Sequence, residues 1–247
     1  IGLGYLYTDF QPQVSWTLPG MDGLAGSFGA KIGIFDPNDV TADTAAVSAT
    51  DKHAPRVEAQ ITYGSSIGGL GIDLWVDGTY QNTGRTTAQV ANVNGLSGTT
   101  DTDGDEDVDS AGVGFGTKLN YQGFTLTASG FYASGMGMRG QHTEGALDAV
   151  GKAFNSYGGY LQGTVDLGQG TSIGYSYGGN VKLQTQNEIT STAIAEVNYQ
   201  DMHSGMIWHN VNDSFRLIAE GGYVTQNFHM GGATEDVFGG VGGFFFW

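Results

Sequence analysis

The chain has 247 residues, of which 43 are glycine, 4 are proline and none is cysteine, and 9 basic against 25 acidic side chains give a net charge of −16. The lack of cysteine excludes a disulfide-stapled scaffold and a Cys-ligated metal centre, and the acidic balance argues against nucleic acid as a partner. Aromatic residues make up 12% of the sequence, too many for a disordered chain. No run of residues approaches the roughly 18 apolar positions of a transmembrane helix, so we expect any membrane contact to be made by strands.

In chain order, apolar side chains alternate with polar or small ones, which is the period of a β-strand. Val57, Ala59, Ile61 and Tyr63, for example, share one face of a segment whose other face is polar. The predicted strands cover residues 8–18, 24–35, 56–64, 70–81, 110–121, 124–134, 155–167, 171–182, 203–211, 214–226 and 237–247. Residues 2–7 are a candidate twelfth strand, and no segment shows a convincing helical period.

The connections between these strands alternate between short and long. The predicted short turns are 19–23, 67–69, 122–123, 168–170 and 212–213, and they consist mostly of residues that favour turns. The predicted long loops are 36–54, 83–109, 137–154, 183–202 and 227–236, and they carry much of the acid. This alternation is typical of a transmembrane antiparallel β-barrel with tight periplasmic turns and long outer loops. The sequence therefore predicts one such domain over residues 1–247.

The two faces of the strands favour the same fold. In a transmembrane barrel the apolar face contacts lipid and the polar face lines a wet lumen, whereas in the alternative, a soluble β-sandwich or solenoid, the apolar face is the core. Charges at mid-strand favour the barrel, as do aromatic residues near strand ends, where interfacial girdles form. The predicted pore-lining residues are Lys31, Arg56, Glu58, Asp73, Asp77, Lys118, Asp166, Arg216 and Glu220.

The last residues end the chain on an aromatic side chain. Residues 239–247 read GGVGGFFFW and place Val241, Phe245 and Trp247 on one face of a strand. This segment resembles the C-terminal strand of bacterial outer-membrane barrel proteins, whose terminal aromatic residue is read by the barrel-assembly machinery. The resemblance assigns Phe245 and Trp247 to that assembly signal; the alternative is a core strand that happens to end the domain.

Residues 12–16 (PQVSW), 208–213 (WHNVND), 216–220 (RLIAE) and the final GGFFFW look like strands and turns of the Gram-negative general porin family. That resemblance implies a homotrimer of sixteen-stranded barrels in the bacterial outer membrane, with an inward-folded third loop as the constriction and with lipid and lipopolysaccharide as surroundings. Counted back from the C-terminus, the eleven predicted strands would then lack about five N-terminal strands and the constriction loop. The alternative is a complete twelve-stranded barrel that begins with residues 2–7.

No catalytic constellation is visible. The five histidines are His53, His142, His203, His209 and His229. His203 and His209 share a strand face but lie roughly 20 Å apart, too far to bind one metal ion. No nucleophile elbow and no His-Glu-x-x-His motif occurs, so we expect no enzymatic activity.

An acidic loop is the best candidate for a ligand site. Its carboxylates at Asp101, Asp103, Asp105, Asp107 and Asp109 alternate in a way that suits calcium. The EF-hand pattern then fails, because its sixth position is Glu106 and its twelfth is Gly112. The loop is therefore either a calcium site or a solvated acidic segment, and no cofactor is expected to be required.

A wide barrel with a polar wall predicts passive diffusion of small hydrophilic solutes and ions. The charges on the predicted wall nearly balance, so a weak cation preference is expected from the acidic loops. The alternative function is a non-conducting barrel that acts as a structural scaffold or sheath for another component of the membrane.

Overall fold

Twelve strands and one helix form the described part of the chain in the computed structural model. The structure describes residues 3–6, 11–23, 26–42, 47–52, 54–97, 107–138, 140, 145–186, 188 and 197–246. The strands are β1 Gln13–Thr17, β2 Met21–Gly23, β3 Gly26–Phe35, β4 Arg56–Ile67, β5 Leu70–Gly84, β6 Asp107–Tyr121, β7 Phe124–Ser134, β8 Asn155–Gly168, β9 Thr171–Leu183, β10 Val197–Asn212, β11 Phe215–Phe228 and β12 Ala233–Phe245, and the helix is α1 Thr87–Ser97.

All strands belong to one antiparallel sheet in which neighbours in space are neighbours in sequence. β1 and β2 both pair with β3. Between them, Leu18 N donates a hydrogen bond of 2.8 Å to Ala30 O of β3, so β1 and β2 together occupy a single strand position. The sheet therefore has the eleven strand positions that the alternation predicts. β1 and β12 are its two edges, and no pairing between the described residues joins them.

The tight turns lie where the sequence predicts most of them. Gln122 and Gly123 both have positive φ, as do Gly68 and Gly69. A two-residue hairpin of type I′ has positive φ at both central positions, and its backbone twist matches that of the flanking strands. The turns predicted at 67–69 and 122–123 are therefore confirmed.

Three predicted connections are wrong at least in part. The long loop predicted at 183–202 ends early, because β10 begins at Val197. The predicted turn at 19–23 contains β2, which pairs Met21 with Phe28, so the chain reverses only between Gly23 and Gly26. The predicted long loop at 227–236 is a short turn, because β11 and β12 continue to within four residues of each other. The polar residues there pair backbone to backbone, and such pairing needs no apolar alternation.

The two faces of the sheet differ in polarity. One continuous row across β3 to β6 is Ala30, Ile61, Val76 and Phe115, and three of these side chains are exposed by about half or more. The opposite face, which we call the inner face, carries polar, charged and glycine residues. A sheet that exposes its apolar face and turns its polar face inward is arranged for lipid outside and water inside.

Residues 3–6 lie against the inner face. Gly4 N donates a buried hydrogen bond of 2.8 Å to Asn180 Oδ1, and a Cβ at Gly4 would stand 2.0 Å from Gly159 O. Leu6 packs beside Met136 in a small apolar cluster. The described part of the predicted twelfth strand is therefore not a strand, because its polar backbone contacts the wall instead of extending the sheet.

The long loops contain a buried apolar cluster. Val40, Ala49 and Leu147 are fully buried in one apolar cluster at the end of the sheet opposite the tight turns. Arg85 ties the loops together, since its guanidinium donates hydrogen bonds to Val47 O at 3.2 Å and to Gly151 O at 2.6 Å. These residues form a packed cap, which we call the outer cap.

The helix α1 lies in the second long loop and was not predicted. Its apolar residues do not recur on one side, so the period of apolar positions could not reveal it. A capping box marks its start: Thr86 N donates to Gln89 Oε1 at 2.9 Å, and Gln89 N donates to Thr86 Oγ1 at 3.4 Å. That spacing of Thr and Gln was the available sequence signal. No described helix is long and apolar enough to cross a membrane.

The polarity of the two faces predicts opposite tolerances for charge at adjacent residues of β8. Leu161→Arg is expected to destabilise the folded protein in a bilayer by about 2–4 kcal/mol, because the side chain lies on the outward face near mid-strand. Gln162→Arg, on the inner face of the same strand, is the matched control and should change the free energy of unfolding little. Urea unfolding in lipid vesicles measures both, and equal losses would contradict the assignment of the faces.

The outer cap predicts a local effect of a cavity. Leu147→Ala is expected to speed amide exchange at Val40 and Ala49 by at least about thirtyfold, because a buried Leu→Ala change costs about 2–5 kcal/mol. These two amides pair with each other's carbonyl oxygens at 2.9 Å. Val150→Ala, at a half-buried position nearby, is the control. Unchanged exchange in the Leu147 variant would show that the cluster does not hold the loops.

Candidate functional site

All nine predicted pore-lining residues lie on the inner face. The register places Glu58 opposite Thr79, Asp77 opposite Gly114, and Asp73 opposite Lys118, all on the side that contacts residues 3–6. The same alternation puts the remaining members on that side, namely Lys31, Arg56, Asp166, Arg216 and Glu220. Contact of these residues with permeating ions stays a prediction.

Arg56 faces inward but is enclosed. Its side chain is 0% exposed, its Nε lies 2.8 Å from Glu58 Oε1, and its guanidinium lies over the Phe35 ring at 5.1 Å from the centroid. The pairing lets a charged guanidinium stay buried, because the carboxylate and the ring replace part of its hydration. Arg56 therefore contributes little positive surface to the inner face.

Several inner-face charges lie close to the tight turns. Asp166 accepts a bond of 2.8 Å from Gly168 N in the turn after β8. Arg216 donates from Nε to Asn210 Oδ1 at 2.6 Å and lies over the Phe246 ring. These two residues are thus part of the turn structure as well as of the charged wall.

A cavity of about 520 Å³ runs along the inner face from β5 to β12. Tyr5 and Leu6 are among the residues that line it, and the charged residues of the described lining are Asp77 and Glu220. A second cavity of about 250 Å³ lies towards β3 and is bordered by Lys31, Glu58 and again Asp77. The larger cavity has the volume of a small-molecule site.

Glycine makes room for the large side chains of this wall. A Cβ at Gly116 would stand 2.1 Å from Cζ2 of Trp75, so the indole occupies the space above that glycine. A Cβ at Gly222 would stand 1.9 Å from His203 O and 2.9 Å from Cζ of Phe238, so the backbone of β10 and the ring both occupy that space. The high glycine content is thus explained in part by rings that lie across glycines of the neighbouring strand.

Comparison with known proteins supports the fold. No protein-family model matches the chain, and no curated protein matches it significantly. The outer membrane channel DcaP of Acinetobacter baumannii is structurally similar, with a TM-score of 0.73 and 14% identity over 96% of this chain and 62% of that one. The anion-selective porin from Comamonas acidovorans gives a TM-score of 0.56 and 12% identity over 94% of this chain and 58% of that one.

The chain has the antiparallel sheet fold of outer-membrane porins. The outer-membrane expressed OmpT of Vibrio cholerae is also similar, with a TM-score of 0.50 and 14% identity over 95% of this chain and 64% of that one. The chain thus spans less than two thirds of the length of each of these proteins. With its apolar outward face, this porin-like fold places the protein in the bacterial outer membrane.

The acidic loop of this porin-like chain is described only where it enters β6. Asp101, Asp103 and Asp105 lie outside the described residues, whereas Asp107 and Asp109 begin the strand. Asp109 Oδ1 accepts hydrogen bonds from Tyr80 Oη at 2.8 Å and from Asn82 Nδ2 at 2.9 Å. The described residues contain no group of three or more His, Cys, Asp or Glu side chains that could hold a metal ion. Calcium binding stays a prediction.

The described histidines do not converge on one site. His203 and His209 share one face of β10, as predicted from their spacing. That face is the outward one, and His209 Nδ1 is 2.8 Å from Thr171 Oγ1. His229 lies in the outer turn after β11, where burial, and then the charge of Lys182, lower its pKa. His53 and His142 lie outside the described residues.

A polar cluster on the outward face was missed by the sequence analysis. His203 is hydrogen-bonded through Nδ1 to the Tyr175 hydroxyl, its Nε2 lies 3.5 Å from Asp201 Oδ2, and its ring stacks on Tyr223 with centroids 4.8 Å apart. The available signal was the Asp-x-His pattern of residues 201–203, which puts both groups on the same face of a strand.

The C-terminal strand pairs as its alternation predicts. Phe245 faces outward with Val241 and stacks on Phe215 of β11, with ring centroids 4.5 Å apart. Trp247 lies outside the described residues. The role of Phe245 and Trp247 in assembly stays a prediction.

The contacts of Asp109 predict a titration change. Hydrogen bonds from Asn82 and then Tyr80 lower the pKa of Asp109, which lies beyond the apolar band. A lowered folded-state pKa contributes stability at neutral pH that is lost as the pH falls through that pKa. Asn82→Ala is therefore expected to raise the pKa of Asp109 towards its usual value, as carboxyl NMR measures. Asn212→Ala, in a distant turn, is the control, and an unmoved pKa in the Asn82 variant would contradict the assignment.

Proposed function

We propose that the protein forms a water-filled channel through the bacterial outer membrane for passive diffusion of small hydrophilic solutes and ions. The observation that carries the proposal is the division of polarity across one sheet. The outward face exposes apolar rows, while the inner face carries charges and borders cavities of about 520 and 250 Å³. A wet, polar interior inside an apolar shell is the arrangement of a diffusion channel.

The channel closes with more strands than the eleven positions described. β1 and β12 are open edges, and an open edge cannot stand in hydrocarbon because its backbone groups would have no partners. A sixteen-stranded barrel is the proposed closed form, with about five strands in addition to those described. The coverage of 62% and 58% of the similar channels supports a sheet larger than this chain alone. Residues 3–6 lie across the wall instead of extending the sheet, which favours the sixteen-stranded form over the twelve-stranded alternative.

Residues 3–6 narrow the lumen in this proposal. Tyr5 packs edge-on against Tyr160 of the wall, with ring centroids 5.9 Å apart, and Leu6 borders both cavities. The bond from Gly4 to Asn180 holds the segment to the sheet. Solutes therefore pass between this segment and the opposite side of the inner face.

The proposed channel prefers cations weakly. Five acidic and four basic residues make up the predicted wall, and the buried Arg56 is paired with Glu58. The surplus of negative charge lies largely in the outer loops, and a net charge of −16 concentrates cations at the mouth.

The protein is proposed to work without enzymatic activity and without a required cofactor, as a homotrimer surrounded by lipid and lipopolysaccharide. Phe245 and Trp247 serve as its signal to the barrel-assembly machinery. Asp101, Asp103, Asp105, Asp107 and Asp109 are the proposed ligands of a calcium ion bound at the outer mouth. Nucleic acid is not among the proposed partners, because the protein and the phosphate backbone are both negatively charged.

The second candidate function is a non-conducting scaffold. The observation that favours it is the outer cap, in which buried apolar residues and Arg85 pack three long loops together at one end of the sheet. A cap that closed the mouth would leave a barrel able to anchor a partner but unable to pass solutes.

Planar-bilayer recording of the full native protein distinguishes the two functions. A channel is expected to give large ohmic steps, and in a KCl gradient its reversal potential is expected to indicate a small preference for K⁺. The preference should decrease at high salt, because exposed charges are screened there. Silent insertion would support the scaffold, and a preference for Cl⁻ would contradict the charge argument while leaving conduction intact.

A further inference from the structure

Among the described residues that line it, the larger cavity combines acid and aromatic side chains without a base. Asp77 and Glu220 are the charged side chains of this described lining, which also includes the rings of Trp75, Tyr160 and Phe238. This differs from the smaller cavity, where Lys31 accompanies the carboxylates. The larger cavity is therefore the part of the inner face most favourable to a positively charged solute.

Trp75 and Asp77 form one acid–aromatic pair. They are successive inward residues of β5, so their Cα atoms lie roughly 7 Å apart along the strand. The indole fills the space above Gly116, and Asp77 Oδ1 would stand 2.4 Å from a Cβ at Gly114. The two side chains thus lie over successive inward glycines of β6.

Glu220 and Phe238 form a second pair of the same kind. Glu220 is opposite Gly240 and Phe238 is opposite Gly222 in the β11–β12 register, so the two side chains are diagonal neighbours on the inner face. The Phe238 ring lies 2.9 Å from the Cβ position of Gly222, where His203 O lies nearer still at 1.9 Å, while a Cβ at Gly240 would meet nothing within 4 Å. An acid, a ring and glycines thus recur six strand positions away from the first pair.

We propose that these two pairs are binding subsites for organic cations that carry an apolar or aromatic body, such as aryl-alkyl ammonium ions. The carboxylate attracts the ammonium group, and the ring accepts the apolar body and adds a cation–π attraction in a partly desolvated site. A residue spacing of roughly 7 Å matches a ring and an ammonium group joined by a short alkyl chain. The proposal rests on the proposed channel function, because the subsites lie inside the lumen.

Calorimetry with 2-phenylethylammonium and its neutral counterpart 2-phenylethanol tests the subsites directly. The full native protein in detergent is expected to bind the ammonium ion at least about tenfold more tightly than the alcohol, after subtraction of binding to empty micelles. In the double variant Asp77→Asn, Glu220→Gln that preference is expected to fall below about threefold, because both carboxylates are lost. Equal binding of the two probes by the native protein would overturn the proposal.

Variants of ring and charge complete the test. Trp75→Leu should weaken binding of the ammonium ion, whereas Trp75→Phe should retain most of it, because the phenyl ring keeps a π face. Asp213→Asn is the matched control, since it removes one negative charge in the turn between β10 and β11, outside the cavity. A loss of preference in this control equal to that of the double variant would show a general charge effect and overturn the subsites.

Recording of K⁺ currents on the same preparations distinguishes failure of the subsites from failure of the channel function. A conducting protein without preference for the ammonium ion overturns the subsites and leaves the channel function standing. A silent protein that still prefers the ammonium ion supports the subsites and overturns the channel function.

Discussion

The structure depends on the requirement that every backbone polar group in a membrane finds a partner within the protein. A β-sheet meets this requirement only through its neighbouring strands, and here hairpin connections pair each strand with the next in an antiparallel direction. Because alternate residues point to opposite sides, the two faces of the sheet can carry side chains of different polarity. The outward side takes residues that suit hydrocarbon, and the inner side is left for polar groups, charges and cavities.

The same constraint explains the glycines of the inner face. A wall of strands about 4.8 Å apart leaves little room for large side chains to lie flat, unless the adjacent strand has no Cβ. Gly116 and Gly222 provide that room for Trp75 and Phe238, so the rings lie along the wall rather than across the lumen. Glycine weakens a strand by its entropy, and the packing of a ring above it offsets part of that cost. An open lumen with aromatic surfaces thus follows from pairing large residues with glycine.

Most of the sheet could be predicted from sequence because period-2 alternation is strong wherever one face meets lipid. The alternation is lost where neither face of the strand meets lipid. Thr234 and Asp236 lie in β12 beyond the apolar band and pair with β11 without alternating, so they read as loop. The helix α1 packs in the outer cap with no apolar side of its own, so only its capping box marks it. The inward positions of the charged residues followed from the alternation of side chains along each strand. The acid–aromatic pairs depend on the register between strands, which a single sequence does not give.

The cluster around His203 is polar although it lies on the outward face, which is otherwise mainly apolar. Tyr223 lies eight residues after Phe215, the first residue of β11, as Tyr132 lies eight residues after Phe124, the first residue of β7. Both tyrosines therefore stand at a similar height above the tight turns, where an aromatic girdle meets the polar boundary of the membrane. Asp201 and His203 are tolerated on that face because they lie at this height and bond to each other and to tyrosine, rather than standing alone in hydrocarbon. Height along the strand thus decides polarity as much as the choice of face.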